Sequence, residues 1–203
     1  MRTRIVLLAA VFILFAAHSK AGSVSYQNVG TVAPTNTFTA DASGNITGWF
    51  YGYSAGDTDE IRMVDVTSGY TSQWAFVNKT TTVGASFNFG SVTAGDALVW
   101  ELYNVNTNDI LASNPLDSAD GLNHVYAASY SGTGGPAGIP AGTYLGFEDL
   151  ASFQNSDFDY NDDTFVVEND SDNPVVTPEP DSFYLLGTGI LGLIEIGRRK
   201  LRA

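Results

Sequence analysis

Residues 146–168 read GFEDLASFQNSDFDYNDDTFVVE, a stretch that combines apolar segments with many acidic residues. Two apolar segments, residues 146–150 and 164–168, flank a polar loop at 151–161. We therefore expect two antiparallel strands joined by an acidic loop. The stretch contains seven acidic residues and no basic residue. Carboxylates this close together repel one another unless a cation lies among them, so the pattern predicts a site for a hard metal ion, Ca²⁺.

The candidate ligands are oxygen-bearing side chains at the end of the first strand and in the loop. They are Glu148, Asp149, Asp157, Asp159, Asn161 and Asp162. The spacing of Asp157, Asp159 and Asn161, with Glu168 at position 12, resembles an EF-hand loop. Position 6 is Asp162 where that loop needs glycine, and the flanks are strand-like, so an EF-hand is excluded. The alternative interpretation is that these groups cap backbone amides without a metal. Asp117, Asp120 and Asn123 form a weaker second candidate cluster.

The body of the chain is predicted to be all-β, an antiparallel β-sandwich or jelly roll, because short β-branched and aromatic runs alternate with Gly, Asn and Asp. Asn106, Thr107 and Asn108 are typical of a hairpin turn, since Asn tolerates positive φ. The loop at 132–142, GTGGPAGIPAG, is expected to be a plain connection. The predicted strands are 23–29, 36–39, 46–53, 60–66, 73–77, 86–89, 97–105, 109–113, 124–130, 142–148 and 164–168.

Aromatic side chains alternate along one predicted strand, where Trp49, Tyr51 and Tyr53 share a face. The favoured interpretation is that this face lines the core, because aromatic residues supply much of the buried area in such sheets. The other interpretation is a flat platform that stacks on sugar rings. It makes the protein a carbohydrate-binding module of an exopolysaccharide matrix.

Both ends of the chain have the composition of targeting segments. Residues 1–21 have a basic start and thirteen apolar residues at 5–17, as in a secretory signal peptide cleaved after Ala21. A membrane anchor is the alternative, but thirteen residues are too few to span about 30 Å of hydrocarbon. The predicted organisation is a signal peptide at 1–21, a β-sandwich domain at 22–170, a linker at 171–177 and a sorting segment at 178–203.

Charge excludes some functions for the body. Residues 22–177 contain Arg62 and Lys79 against nineteen acidic residues. Such a surface cannot neutralise phosphates, so no nucleic acid partner is expected, and an anionic membrane surface would repel it. The chain has no cysteine, so export brings no disulfide bond, and a bound divalent ion is the expected source of extra stability.

The acidic stretch resembles the C-terminal signature of an extracellular bacterial domain family of unassigned function. That signature has GFEDL, a short loop, then D-x-D-Y-N-D and an apolar strand. Here Asp157, Asp159, Tyr160, Asn161, Asp162 and Phe165 match it. Upstream segments such as AGDTDEIRMVDVTSGY and AGDALVWELYNV are also similar, so the likeness covers most of residues 48–167. The resemblance implies a β fold, suggests calcium and supplies no known reaction.

The C-terminus resembles the PEP-CTERM sorting signal. Pro178, Glu179 and Pro180 precede a mostly apolar run at 183–196, and a basic cluster including Arg198 and Arg199 follows. The run reaches only about 21 Å as a helix, so it would hold the chain in a bilayer transiently. The resemblance implies cleavage by an exosortase in a Gram-negative envelope and display at the cell surface or release into exopolysaccharide. Glu195 departs from the usual apolar run, and a permanent single-span anchor is the alternative.

Catalysis is the third class of function considered. Glu148 with Asp157 or Asp159 could form the carboxylate pair of a glycoside hydrolase, but nothing in the sequence isolates such a pair from the other acids. His124 is the one histidine left after signal cleavage, and the chain has no G-x-S-x-G elbow. One histidine and no cysteine also disfavour zinc. The sequence therefore predicts a non-enzymatic, exported cell-surface or matrix protein with a structural calcium site.

Overall fold

The structure, a computed structural model, describes residues 24–174 of the 203-residue chain. These residues form eleven strands and two short 3-10 turns, Pro115–Asp117 and Ser152–Gln154. The strands are β1 Asn36–Ala40, β2 Gly44–Gly52, β3 Asp59–Asp65, β4 Tyr70–Thr71, β5 Ser86–Val92, β6 Ala97–Asn104, β7 Asp109–Ala112, β8 Val125–Tyr130, β9 Gly142–Phe147, β10 Asp163–Glu168 and β11 Asp170–Pro174. Within residues 24–174, no helix has the length and apolar character needed to cross a bilayer.

The strands form two antiparallel sheets, as in a β-sandwich, so the predicted all-β class is confirmed. Sheet A has the order β11-β1-β6-β3-β4, with β7 also paired to β6, and sheet B has the order β5-β2-β10-β9-β8. The predicted pairing around the acidic loop is confirmed, because β9 and β10 are neighbours with Asp163 opposite Phe147. The hairpin between β6 and β7 is also confirmed, and its Asn108 has φ 62°. The predicted signal-peptide and C-terminal helices lie outside the described residues.

The core lies between the two sheets and is rich in aromatic side chains. Trp100 of β6 is fully buried, with ring centroids 5.0 Å from Phe89 and 5.2 Å from Phe165. Met63 and Phe50 are also fully buried in this cluster. Burying one such side chain contributes roughly 1.5–3 kcal/mol, so the interleaved rings fix how the two sheets face each other.

Nine of the eleven predicted strands overlap observed strands, and two do not. In the segment 73–77, Ala75 makes only an isolated bridge to Ile61, and the positive φ of Phe76 (55°) prevents a continuous strand. Residues 24–29 are irregular because Tyr26 packs its ring against Tyr126 and Tyr160 instead of joining a sheet edge.

The last strand, β11, was not predicted and occupies most of the range expected to be a linker at 171–177. Its sequence, DSDNP, has low strand propensity, but its backbone pairs with the edge strand β1. The chain passes from sheet B to sheet A at Asn169, whose φ is 65°. The Asn169 amide exchanges hydrogen bonds with Ala42, accepting from its N–H at 2.8 Å and donating to its carbonyl at 2.9 Å.

The interpretation that Trp49, Tyr51 and Tyr53 line the core is wrong. Phe50, between the first two, is fully buried in the core, so its neighbours on β2 face outward. Trp49 and Tyr51 are half-buried in a second apolar cluster on the outer face of sheet B, and Tyr53 is 46% exposed. The loop 132–142 connects β8 to β9 as predicted and contributes Ile139 to this outer cluster.

Candidate metal centre

The acidic residues meet at the end of sheet B where β9 and β10 are joined. Glu148 and Asp149 follow β9 directly, and Asp162 precedes β10. Residues 151–161 fold back over the outer face of β9, which requires glycine at position 146. A Cβ atom on Gly146 would lie 2.3 Å from the carbonyl oxygen of Tyr160. The glycine of the GFEDL segment therefore allows the loop to approach the strand.

Two groups of three carboxylates converge at this point. The outer triad is Glu148, Asp157 and Asp159, and the inner triad is Glu148, Asp149 and Asp162. Each residue offers one oxygen, and within a triad these oxygens all lie within 4.8 Å of one another. Glu148 belongs to both triads and is 1% exposed. Five of the six predicted ligands are thus brought together in an arrangement that could hold a metal ion.

The loop backbone adopts a conformation that aims Asp157 and Asp159 at Glu148. Phe158 and Tyr160, on either side of Asp159, have φ of 48° and 56°, in the left-handed region that costs aromatic residues about 1–3 kcal/mol each. Tyr160 is anchored in return: its hydroxyl donates to the Asn123 carbonyl at 3.1 Å and accepts from the Ala33 N–H at 2.7 Å. The two aromatic rings lie in apolar packing with Tyr26 and Ala33.

Backbone amides also bind these carboxylates, as the capping interpretation predicts. The Asp159 N–H donates to Glu148 Oε2 at 3.2 Å, and the Asp149 N–H donates to Asp162 Oδ2 at 3.0 Å. The Asn161 N–H donates to Asp159 Oδ1 at 3.1 Å, while its side-chain amide donates to Asp159 Oδ2. These bonds orient the carboxylates, but neutral donors leave the accumulated negative charge uncompensated.

Burial, followed by repulsion between neighbouring carboxylates, raises the pKa values of the cluster. The pKa of Glu148 rises to about 7 and that of Asp162 to about 9. Burial, with the nearby Asp57 charge, raises the pKa of Asp149 to about 6. No base compensates: among the described residues, Arg62 pairs with Glu101 at 2.5 Å, and Lys79 donates to the Gly56 carbonyl. The arrangement could therefore hold a cation.

The other candidates are placed differently. Glu168 is exposed at the opposite end of β10 from Asp163, which agrees with the exclusion of an EF-hand. Asn161 donates its amide to Asp159, so it braces the outer triad.

Among the described residues, the side chains of the second candidate cluster, Asp117, Asp120 and Asn123, each contact other groups. Asp117 accepts a hydrogen bond from the Asn114 side-chain amide, and the Asn123 side-chain amide donates to backbone groups such as the Val125 carbonyl. Asp120 contacts His124 Nε2 at 3.0 Å. Burial alone would raise the pKa of Asp120, but backbone N–H donors and His124 hold it at about 2.

Three acidic residues near the inner triad were missed by sequence reasoning: Asp57, Asp59 and Asp163. Asp59 and Asp163 are fully buried. Asp163 was visible in the acidic stretch, and Asp57-Thr58-Asp59 repeats the spacing of Asp157 and Asp159. The proximity of Asp57 and Asp59 to Asp149 could not be read from the sequence, because these two residues lie at or just before the start of β3, which belongs to the other sheet.

Comparisons with protein-family models, with curated proteins and with solved structures give no match. Pro178, Glu179, Pro180, Arg198 and Arg199 of the predicted sorting signal lie outside the described residues.

Two of the candidate glycan residues line a pocket together with Asn161 of the acidic loop. A shallow pocket of about 360 Å³ on the outer face of sheet B adjoins the acidic loop. Tyr51 and Tyr53 line it, and Trp49 lies outside it on the same strand. The lining residues are Tyr51, Gly52, Tyr53, Ser54, Tyr144, Asn161 and Thr164.

Proposed function

We propose that this chain is an exported, non-enzymatic cell-surface or extracellular-matrix protein whose acidic edge binds a structural calcium ion. The observation that carries the calcium assignment is the pair of carboxylate triads sharing Glu148. Export and surface sorting are supported by the signal-peptide pattern and by the ordered PEP motif, apolar run and basic cluster at residues 178–203.

The ligand chemistry favours calcium among the common divalent ions. Every candidate ligand is an oxygen, as Ca²⁺ and Mg²⁺ prefer, whereas zinc sites need His or Cys. Calcium accepts six to eight oxygens in flexible geometry, which suits two adjoining triads on a loop, while Mg²⁺ requires a near-ideal octahedron. Export would expose the site to extracellular calcium.

A structural role follows from what the ion would join. It would bind the end of β9, through Glu148, to a loop held in a costly conformation at Phe158 and Tyr160. Without disulfides, the fold has no covalent crosslink there. Calcium at about 100 times its Kd would stabilise the folded state by about 2.7 kcal/mol, because the unfolded chain offers no assembled site.

Thermal unfolding of the full chain with EDTA or with excess Ca²⁺ tests this proposal. We expect EDTA to lower Tm and calcium to restore it, whereas calcium raises the Tm of the Asp159→Ala variant by less than that of the wild type. Glu168→Ala is the matched control, because Glu168 is an exposed acid of the same stretch outside both triads. If EDTA leaves the wild-type Tm unchanged, the capping interpretation replaces the calcium site.

A carbohydrate-binding module is the second candidate, and the pocket beside the acidic loop favours it. Tyr53 is 46% exposed at the pocket rim, where a ring can stack on a sugar face. The Asn161 amide in the same pocket could hydrogen-bond sugar hydroxyls.

Binding of the full chain to the exopolysaccharide of the producing cell tests the carbohydrate-binding candidate. If this candidate holds, Tyr53→Ala loses polysaccharide binding while keeping the wild-type Tm. Val83→Ala, another exposed apolar residue that does not line the pocket, is the control. Equal binding by Tyr53→Ala and the wild type would remove this candidate.

A further inference from the structure

A buried pair of carboxylates, here named the inter-sheet pair, lies behind the inner triad. It consists of Asp59 at the start of β3 in sheet A and Asp163 at the start of β10 in sheet B. Asp59 lies on the same face of its strand as Ile61, and Asp163 on the same face as Phe165. Both of those apolar residues belong to the core between the sheets. Each acid therefore points into the space that separates the two sheets.

The inter-sheet pair contains most of the unpartnered buried oxygens in the described part of the chain. Five buried side-chain oxygens there have no hydrogen-bond partner, and three of them are Asp59 Oδ1 and both oxygens of Asp163. The adjacent Thr164 N–H offsets part of the Asp163 charge without reaching hydrogen-bond geometry. Leaving one buried polar group unpartnered costs about 1–3 kcal/mol, and more for a charge, so these oxygens need a partner.

Two fully buried amide side chains hold the surrounding groups in place. Asn78 accepts from the Asp59 N–H at 3.2 Å and donates to Asp59 Oδ2 at 2.6 Å. Asn104 donates to Asp57 Oδ2 at 3.0 Å and to the Asp149 carbonyl at 2.9 Å. These donors orient the carboxylates of Asp59 and Asp57 and the backbone of Asp149, as partners in the outer shell of metal sites orient the ligands.

Repulsion between carboxylates links the inter-sheet pair to the acids of the inner triad. Burial raises the pKa of Asp163 well above its usual range, and repulsion from Asp59, Asp162 and Asp149 adds to the effect. Burial likewise raises the pKa of Asp59 to about 8, with Asp149 and Asp57 adding to it. Lys79 opposes this shift from an exposed position, and its ammonium group is bound to the Gly56 carbonyl.

We propose that Asp59 and Asp163, together with Asp149, bind a second divalent cation of the calcium class between the two sheets. The three carboxylates are less tightly gathered than the two triads, so binding would draw them together. The second ion would crosslink β3 of sheet A to β10 of sheet B and close this end of the sandwich. The inference rests on the proposed function for its supply of calcium, but it uses residues outside the outer triad, so the two can fail separately.

The experiment counts calcium ions per chain. The full-length wild type and variants are equilibrated with saturating Ca²⁺ by dialysis and analysed for bound metal. We expect two ions in the wild type, one in Asp163→Asn, one in Asp159→Asn and none in the double variant. Asp65→Asn is the matched control: it faces the interior from the other end of β3, but its carboxylate already accepts from Thr67 and Ser68. It should retain both ions.

Each other outcome has a defined meaning. If the wild type binds one ion and Asp163→Asn still binds it, the second site is overturned. The inter-sheet pair would then be assigned as neutral, protonated acids. If the wild type binds one ion, which Asp163→Asn loses and Asp159→Asn keeps, the inter-sheet site is supported and the outer site is overturned. No ion in the wild type would overturn both proposals. Near-UV circular dichroism checks folding, and Asp59→Asn replaces Asp163→Asn if that variant does not fold.

Discussion

In EDTA, the Glu148→Gln variant should be more stable than the wild type, whereas in calcium the wild type should be the more stable protein. Glu148 is 1% exposed, shared by both triads, and its pKa is raised from 4.5 to about 7 by burial and then by neighbouring acids. Each pKa unit corresponds to about 1.36 kcal/mol, so the ionised side chain destabilises the metal-free fold by at most about 3 kcal/mol. Glutamine removes that charge and keeps an oxygen for the Asp159 N–H.

The sign of the pH effect follows from linkage. Because the folded-state pKa is the higher one, the folded state binds more protons between pH 4.5 and about 7. The contribution of Glu148 to metal-free stability therefore falls as pH rises through that window, and the loss is complete by about pH 8. At about pH 8 in EDTA, we expect Glu148→Gln to be more stable than the wild type by about 1–3 kcal/mol.

Calcium should restore the opposite order. From the site of the two triads, the wild type should gain about 2.7 kcal/mol at about 100 times its Kd, while the variant, which lacks the shared charged ligand, should gain less than about 1 kcal/mol. Urea unfolding followed by tryptophan fluorescence, at about pH 5 and pH 8, measures each free energy of unfolding. Glu168→Gln, an exposed acid of the same stretch, should stay within about 0.5 kcal/mol of the wild type throughout. The reasoning is refuted if calcium stabilises wild type and Glu148→Gln equally, or if the variant is the less stable protein in EDTA.

Three further predictions concern the acidic loop and the buried Asp170. Gly146→Ala should displace the acidic loop, because its Cβ would lie 2.3 Å from the Tyr160 carbonyl oxygen. Calcium titration should then show weaker binding than in the wild type, and an unchanged affinity would contradict this prediction. Tyr160→Phe leaves the Ala33 N–H unpartnered and should lower the urea-derived stability by about 1–3 kcal/mol; no loss would mean that this anchor is dispensable. Asp170 is 3% exposed, and burial raises its pKa from 3.8 to about 7, so wild-type stability should fall across that pH range. Asp170→Asn, still able to accept from Trp100 Nε1, should flatten this part of the pH profile in EDTA and in calcium alike; an unchanged profile would show that Asp170 does not titrate there.

The sequence by itself determined the β class, most strand positions and the gathering of acids around one hairpin. These features are local: strand propensity and turn chemistry act over a few residues, so Asn108 could be assigned to its hairpin turn. The convergence of Glu148 and Asp159 was accessible for the same reason, because both belong to the segment that joins β9 to β10.

Only the tertiary structure decided which face of a strand is inside and which distant strands lie opposite each other. Alternation along β2 placed Trp49 and Tyr51 on one face, but the packing of sheet A against sheet B selected Phe50 for the core. The same packing brought Asp59 to Asp163 across the two sheets. The alternation of apolar and polar side chains along a strand can be read from its own residues. Which face is buried, and which strands pair with it, depend on how both sheets bury the most apolar surface together.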